Sequence, residues 1–184
     1  MWSFDRRIVL RMALVAGLGG LTAGCFQPMY GSSSVVPTAG LDDRLGAVDV
    51  LPITAPHGTR LARVGEQVRN DLIFKLTGGG AAQTAAYELT VRLASNQQQV
   101  IVDINSGRPD IQEYTVTASF TLVDIGTGKP VLTDTTFGRV SYNIPGGQQR
   151  FAGERGLRDA ENRAADVVAD HIRSRLASYF VAGT

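Results

Sequence analysis

Apolar and polar residues follow two rhythms along this chain, and each predicts one kind of element. From Leu61 to Thr77 the apolar residues Leu61, Val64, Val68, Leu72 and Leu76 recur every three or four positions. That repeat lines one face of an α-helix. Gly78-Gly79-Gly80 follows and stops it. A longer stripe runs from Gly156 to Phe180, with Leu157, Ala160, Ala164, Val167, Val168, Ile172, Leu176 and Tyr179 on one side. Arg158, Glu161, Arg163, Asp166, Asp170 and Arg173 fall opposite, and no proline interrupts the run. Between the two helices the period drops to two. Tyr87, Leu89, Val91 and Leu93 alternate with Glu88, Thr90 and Arg92; Tyr114, Val116, Ala118, Phe120 and Leu122 alternate with threonines and Ser119. Period two means one buried and one wet face, the antiparallel arrangement. A third strand over residues 131–142 is less regular, and Gly138 is expected to form a bulge. Residues 47–54 alternate weakly and read as a first strand, which Pro52 pushes to a sheet edge or strand end.

The resulting order is β-α-β-β-β-α. An amphipathic helix must bury its stripe and each strand has one apolar face to cover. The economical solution is an α+β two-layer sandwich, with two helices packed on one face of a mostly antiparallel four-stranded sheet. If the strands at 87–103, 111–124 and 131–142 form a meander, the first and third run the same way. The loop after each then lies at one tip of the domain, and these loops carry Arg108 and Arg150.

The N-terminus belongs to no such pattern. Arg6, Arg7 and Arg11 precede the apolar run MALVAGLGGL over residues 12–21, followed by the small residues Thr22, Ala23 and Gly24 and then Cys25. These are the parts of a secretory signal. The 10 apolar residues of that run fall short of the roughly 20 needed to cross a bilayer. Leu21-Thr22-Ala23-Gly24-Cys25 resembles a lipobox, with Leu21 one step further from the cysteine than is usual. Cys25 is therefore expected to become the lipid-carrying first residue, bearing a diacylglyceryl and an N-acyl chain, in preference to a buried free thiol. Two or more chains give stable membrane attachment. The expected organisation is a cleaved signal at 1–24, a lipidated N-terminus and flexible tether at 25–43, and a single domain at 44–184. The small, turn-forming run GSSSVVPTAGLDD over residues 31–43 supports the tether.

Composition narrows the chemistry. Of the 184 residues, 43% are hydrophobic, enough for a core, and the net charge of +1 argues against nucleic acid as a partner. Cys25 is the only cysteine, and His57 and His171 stand alone, so the sequence suggests neither disulfide nor metal site. Gly126-Thr127-Gly128-Lys129 looks like the end of a phosphate loop. That motif requires glycine at Val123 and Ser or Thr at Pro130, so the segment reads as a hairpin turn. His171, on a helix beside Ile172, suits a packing or boundary position better than a catalytic base. Asp166 and Asp170, one turn apart among arginines, suit a solvated face. No nucleophile, base and oxyanion site come together, and no enzymatic activity or cofactor beyond the lipid on Cys25 is expected.

Four stretches share a family resemblance. Cys25-Phe26-Gln27-Pro28-Met29-Tyr30-Gly31 is similar to the mature start of the lipopolysaccharide-assembly lipoprotein family LptE in its alphaproteobacterial form, less one glycine. Arg63 through Leu72 resembles that family's first helix, Tyr114 through Lys129 its strand and Asp-x-x-Thr-Gly turn, and Arg163 through Phe180 its closing helix. The resemblance implies a non-enzymatic outer-membrane lipoprotein that plugs and helps assemble the β-barrel LptD and contacts lipopolysaccharide. It also implies a basic residue in each tip loop at the lipopolysaccharide, which points to Arg108 and Arg150, with Arg92 and Arg139 on strands as second choices. Solvated loop arginines are the plainer reading of the same residues. An auxiliary lipoprotein of an ABC-type lipid-trafficking system would share the anchor, size and mixed α/β character. A periplasmic hydrolase is disfavoured by the missing catalytic constellation.

Overall fold

The computed structural model describes residues 40–79, 84–102, 109–144 and 150–182. The signal sequence, Cys25, the tether through residue 39 and Arg108 lie outside these residues. The element order is α1 (Leu41–Gly46), β1 (Val48–Val50), α2 (Arg60–Thr77), β2 (Tyr87–Val102), β3 (Pro109–Asp124), β4 (Lys129–Asn143) and α3 (Arg150–Ala182). Leu41, Asp42 and Asp43, assigned above to the tether, are the first residues of α1, which turns Leu45 into the core at 1% exposure.

The sheet has the order β1-β2-β3-β4, with β1 parallel to β2 and the other two pairings antiparallel. Leu89, Val91, Tyr114, Val116, Ala118, Phe120, Leu122 and Val140 are buried on one face beneath α2 and α3. The expected two-layer α+β fold is therefore what forms. The β3–β4 turn closes as the hairpin expected: Asp124 Oδ1 accepts from Thr127 N at 2.8 Å, and Gly128 sits at φ +67°. α2 starts at the side-chain cap of Thr59, which accepts from Ala62 N at 3.2 Å, and ends on Gly78 in the left-handed region at φ +73°.

Two expectations about α3 and β4 are corrected. Gly138 pairs in register with Val116 and forms no bulge; the irregularity of that ladder lies at Leu122/Val123. Its lack of a side chain serves packing instead, since a Cβ there would lie 2.5 Å from the Ala164 carbonyl oxygen. Glu161, placed above on the polar side of the last helix, is 1% exposed and pairs with Arg63 of α2. α3 packs against both the sheet and α2, so its buried stripe is broader than a single-sided helix needs. Ala165, Ala169, Ala177 and Phe180 join the core, and Val167 and Tyr179 are only half-buried.

The helices run parallel, because Arg60 meets Glu154, Arg63 meets Glu161 and Lys75 meets Asp166 and Asp170 in ascending order. Both helices therefore start at the same end of the domain. The first turns of α3 lie against the end of β4, where a Cβ at Gly156 would be 3.3 Å from the Asn143 carbonyl oxygen, so it is also the end at which β2 and β4 finish.

Candidate functional site

No helix covers the second face of the sheet among the described residues. Strand alternation puts Thr90, Arg92, Thr117, Ser119, Thr121, Thr133, Thr135, Phe137 and Arg139 there, and the registers fix their rows. Thr90, Thr121 and Thr133 form one row; Arg92, Ser119 and Thr135 the next; then Ala94, Thr117 and Phe137; then Asn96, Thr115 and Arg139. Hydroxyls bond across strands, Thr133 to Thr121 at 3.4 Å and Thr135 to Ser119 at 3.2 Å. The face is polar but not strongly charged, and its threonines keep the β-propensity that a flat, half-wet strand requires.

Arg92 and Arg139 both lie on this face. Arg139 is 57% exposed, pairs with Glu113 at 3.2 Å and sits 5.6 Å from the centroid of the Phe137 ring. Two strand spacings and four residues separate Arg92 from Arg139. With strands about 4.8 Å apart and a rise of about 3.3 Å per residue, their Cα atoms are roughly 16 Å apart. One phosphate cannot span that distance, so the two do not form one anion site. The exposed Phe137, 56% exposed, gives the face an apolar spot that its period-two position foretold and the sequence reading passed over.

Topology places the β2 and β4 ends together: Val102 pairs with Pro109, and Asn143 with Ile111 two residues on. The loop holding Arg108 and the one preceding Arg150 therefore spring from one tip. Arg150 is the first residue of α3 rather than a loop residue. Near the same tip the Tyr142 hydroxyl donates to Gln112 Oε1 at 2.6 Å, and burial raises the pKa of that hydroxyl.

On the helix side an open cleft is lined by His57, Arg60, Arg63, Glu66 and Arg158, and a second depression shares Arg158 with Phe151, Glu154 and Arg155. The grouping of these arginines could not be read from the sequence, because Arg60 and Arg63 lie on α2 and Arg155 and Arg158 on α3, far apart along the chain. Arg60 and Arg63, one turn apart at a helix start without an acidic residue in its first turn, were the available signal.

Lys75, Asp166, Asp170 and His171 tie neighbouring elements together. Asp166 and Asp170 hold Lys75 at 2.8 and 2.5 Å, and these hydrogen bonds outweigh partial burial to raise its pKa. His171 is exposed and shares a 3.2 Å hydrogen bond with Thr136. The described residues hold no cluster of His, Cys, Asp and Glu suited to a metal, and none of their helices is long and apolar enough to cross a membrane.

The sequence model of a family described as LptE, lipopolysaccharide-assembly, matches residues 45–176. Solved structures of bacterial proteins share the fold, among them the following two. A Caulobacter crescentus protein proposed to be a lipoprotein is 22% identical, covers 77% of this chain and 96% of its own, and superposes with a TM-score of 0.58. Rare lipoprotein B of Shewanella oneidensis is 17% identical, covers 72% of this chain and 97% of its own, and superposes at 0.50. No curated protein matches the sequence.

Proposed function

The chain belongs to the LptE family of lipopolysaccharide-assembly proteins, and on that premise we propose that it is held at the outer membrane by lipid on Cys25, seats in the lumen of an LptD-type β-barrel, helps that barrel assemble and contacts lipopolysaccharide on its way to the surface. The family is one of non-enzymatic lipoproteins of lipopolysaccharide assembly. The observation that carries the finer reading is the uncovered sheet face. An antiparallel sheet normally exposes one polar face to water; this one is long and threonine-rich, and its charges, Asp49, Glu88, Arg92, Glu113 and Arg139, are of both signs and spread among the hydroxyl rows. A large barrel has a polar interior, and hydroxyl rows satisfy such a wall without leaving buried charge unpaired.

Affinity purification from detergent-solubilised membranes tests the partnership. The expected outcome is co-purification of a large outer-membrane barrel, with lower levels of the assembled barrel and greater sensitivity to large hydrophobic antibiotics when this protein is depleted. Recovery of an ABC-type transporter in place of a barrel, with barrel level unchanged, would contradict it.

A further inference from the structure

The cleft between the start of α2 and the first turns of α3 concentrates positive charge that its own carboxylates do not fully offset. Arg63 is fixed from beneath by Glu161, which is buried to 1% exposure. Arg60 is held by Glu154 at 3.2 Å, but both side chains are more than half exposed, and such pairs exchange readily with water or another anion. Arg155 and Arg158 have no carboxylate partner among the described residues, and Glu66 is the one further carboxylate lining the cleft. The crowding is felt: after desolvation, the charges of Arg158 and Arg60 lower the pKa of Arg63. The buried Tyr114 hydroxyl, close enough to influence Arg63, has no hydrogen-bond partner among the described residues.

An apolar element adjoins these charges. Phe151 is 84% exposed, and at spacings of four and seven it shares a helix face with Arg155 and Arg158. Guanidinium groups bind phosphate or carboxylate oxygens through two parallel hydrogen bonds, and an aromatic ring beside them favours an apolar chain. Isolated phosphate would use only half of this arrangement.

We propose that this cleft is a binding subsite for the acidic head of an amphiphilic lipid, with Arg158 and Arg63 on the oxyanion, Arg155 at its rim and Phe151 against the adjoining acyl chain. Resting on the lipopolysaccharide reading above, the proposal assigns the head group of lipopolysaccharide to the helix side of the strand tip, away from Arg92 and Arg139. The oxyanion displaces Glu154 from Arg60 and relieves the repulsion among the three guanidinium groups of the cleft.

The test compares binding of purified lipopolysaccharide, phosphatidylglycerol vesicles, phosphatidylcholine vesicles and inorganic phosphate to the full chain and its variants. Arg155→Glu/Arg158→Glu should weaken lipopolysaccharide binding by about tenfold or more. Phe151→Ser should weaken lipopolysaccharide binding and leave inorganic phosphate unaffected, and Arg92→Glu/Arg139→Glu should change neither. Arg155→Gln/Arg158→Gln serves if the charge reversal disturbs folding, as judged by circular dichroism. Wild-type binding of lipopolysaccharide that survives both double arginine variants at positions 155 and 158 overturns the cleft and leaves the wider reading standing. Arginine-dependent binding of phosphatidylglycerol without lipopolysaccharide binding supports the acidic-lipid cleft and removes lipopolysaccharide as its occupant. Equal affinity for phosphatidylcholine and phosphatidylglycerol, or binding of inorganic phosphate alone, overturns the proposal.

Discussion

A methyl group added at Gly138 would lie 2.5 Å from the Ala164 carbonyl oxygen and 3.1 Å from Val168 Cγ2. Backbone on one side and a buried valine on the other leave little room to yield. Gly138→Ala should destabilise the protein by about 1–3 kcal/mol, the usual range for overpacking. Gly46→Ala, where an added Cβ meets nothing within 4 Å, should be near neutral; equal melting temperatures for the two would show that α3 does not approach β4 this closely. The Arg63–Glu161 pair makes a second, asymmetric case. Arg63 retains 35% side-chain exposure and Glu161 only 1%. Arg63→Ala strands a buried carboxylate and should cost about 3 kcal/mol or more. Glu161→Gln leaves a guanidinium that can turn to water and should cost less. The Arg63→Ala deficit should also shrink on acidification, as the stranded carboxyl takes up a proton. Denaturant titrations at pH 7 and pH 5 would show both the order and the trend. Asp71 behaves differently: burial raises its pKa above 3.8, against the hydrogen bond from Gln67. A raised carboxyl means the folded state binds the proton more tightly, so this group's penalty is absent at low pH and grows as pH rises through the shifted value. Asp71→Asn should therefore melt higher than wild type at pH 7, with the gain fading toward pH 4.

The elements were legible where one periodicity served one environment. Strands β2 and β3 followed their alternation because each buries one face, and α2 followed its repeat because Val64, Val68, Leu72 and Leu76 carry its burial on a single stripe. α3 did not, because it touches the sheet and α2 together, and a helix buried on two sides accepts Ala165, Ala169 and even Glu161 into its core. Its start at Arg150, six residues before the apolar stripe begins, follows from length. A 33-residue helix extends about 50 Å, which matches the roughly 53 Å of the 16-residue strands it lies beside. α1 was missed because its six residues carry one buried side chain, Leu45, too few to show a repeat. At this scale Val168→Asp, at a position with 0% exposure, should unfold the domain or cost well over the roughly 1.5–3 kcal/mol of the lost side chain. Arg163→Ala removes an exposed pair with Asp159 at 2.7 Å and should cost about 0.5 kcal/mol or less. Comparable losses in a urea titration would contradict the phase assigned to α3.

For the whole molecule, the layer arrangement leaves one sheet face covered by two helices and the other open, and it gathers the strand ends and the arginine cleft at one end. The two-layer class could be read from pattern alone. The open face as a surface was also implicit in the threonine alternation, but the cleft was not, since it exists only once α2 and α3 run side by side. Attachment is a separate matter: Cys25→Ala should abolish incorporation of radioactive palmitate and block cleavage after Gly24, and normal labelling of that variant would contradict the lipoprotein anchor. The central claim is that the open sheet face meets the inside of an outer-membrane barrel. A photo-crosslinking residue at Ser119, in the middle row of that face, tests it in intact cells. The account predicts a covalent adduct with an outer-membrane β-barrel of the LptD type; adducts confined to an ABC-type transporter, or no barrel adduct from Ser119 in protein that is lipidated and folded, would contradict it.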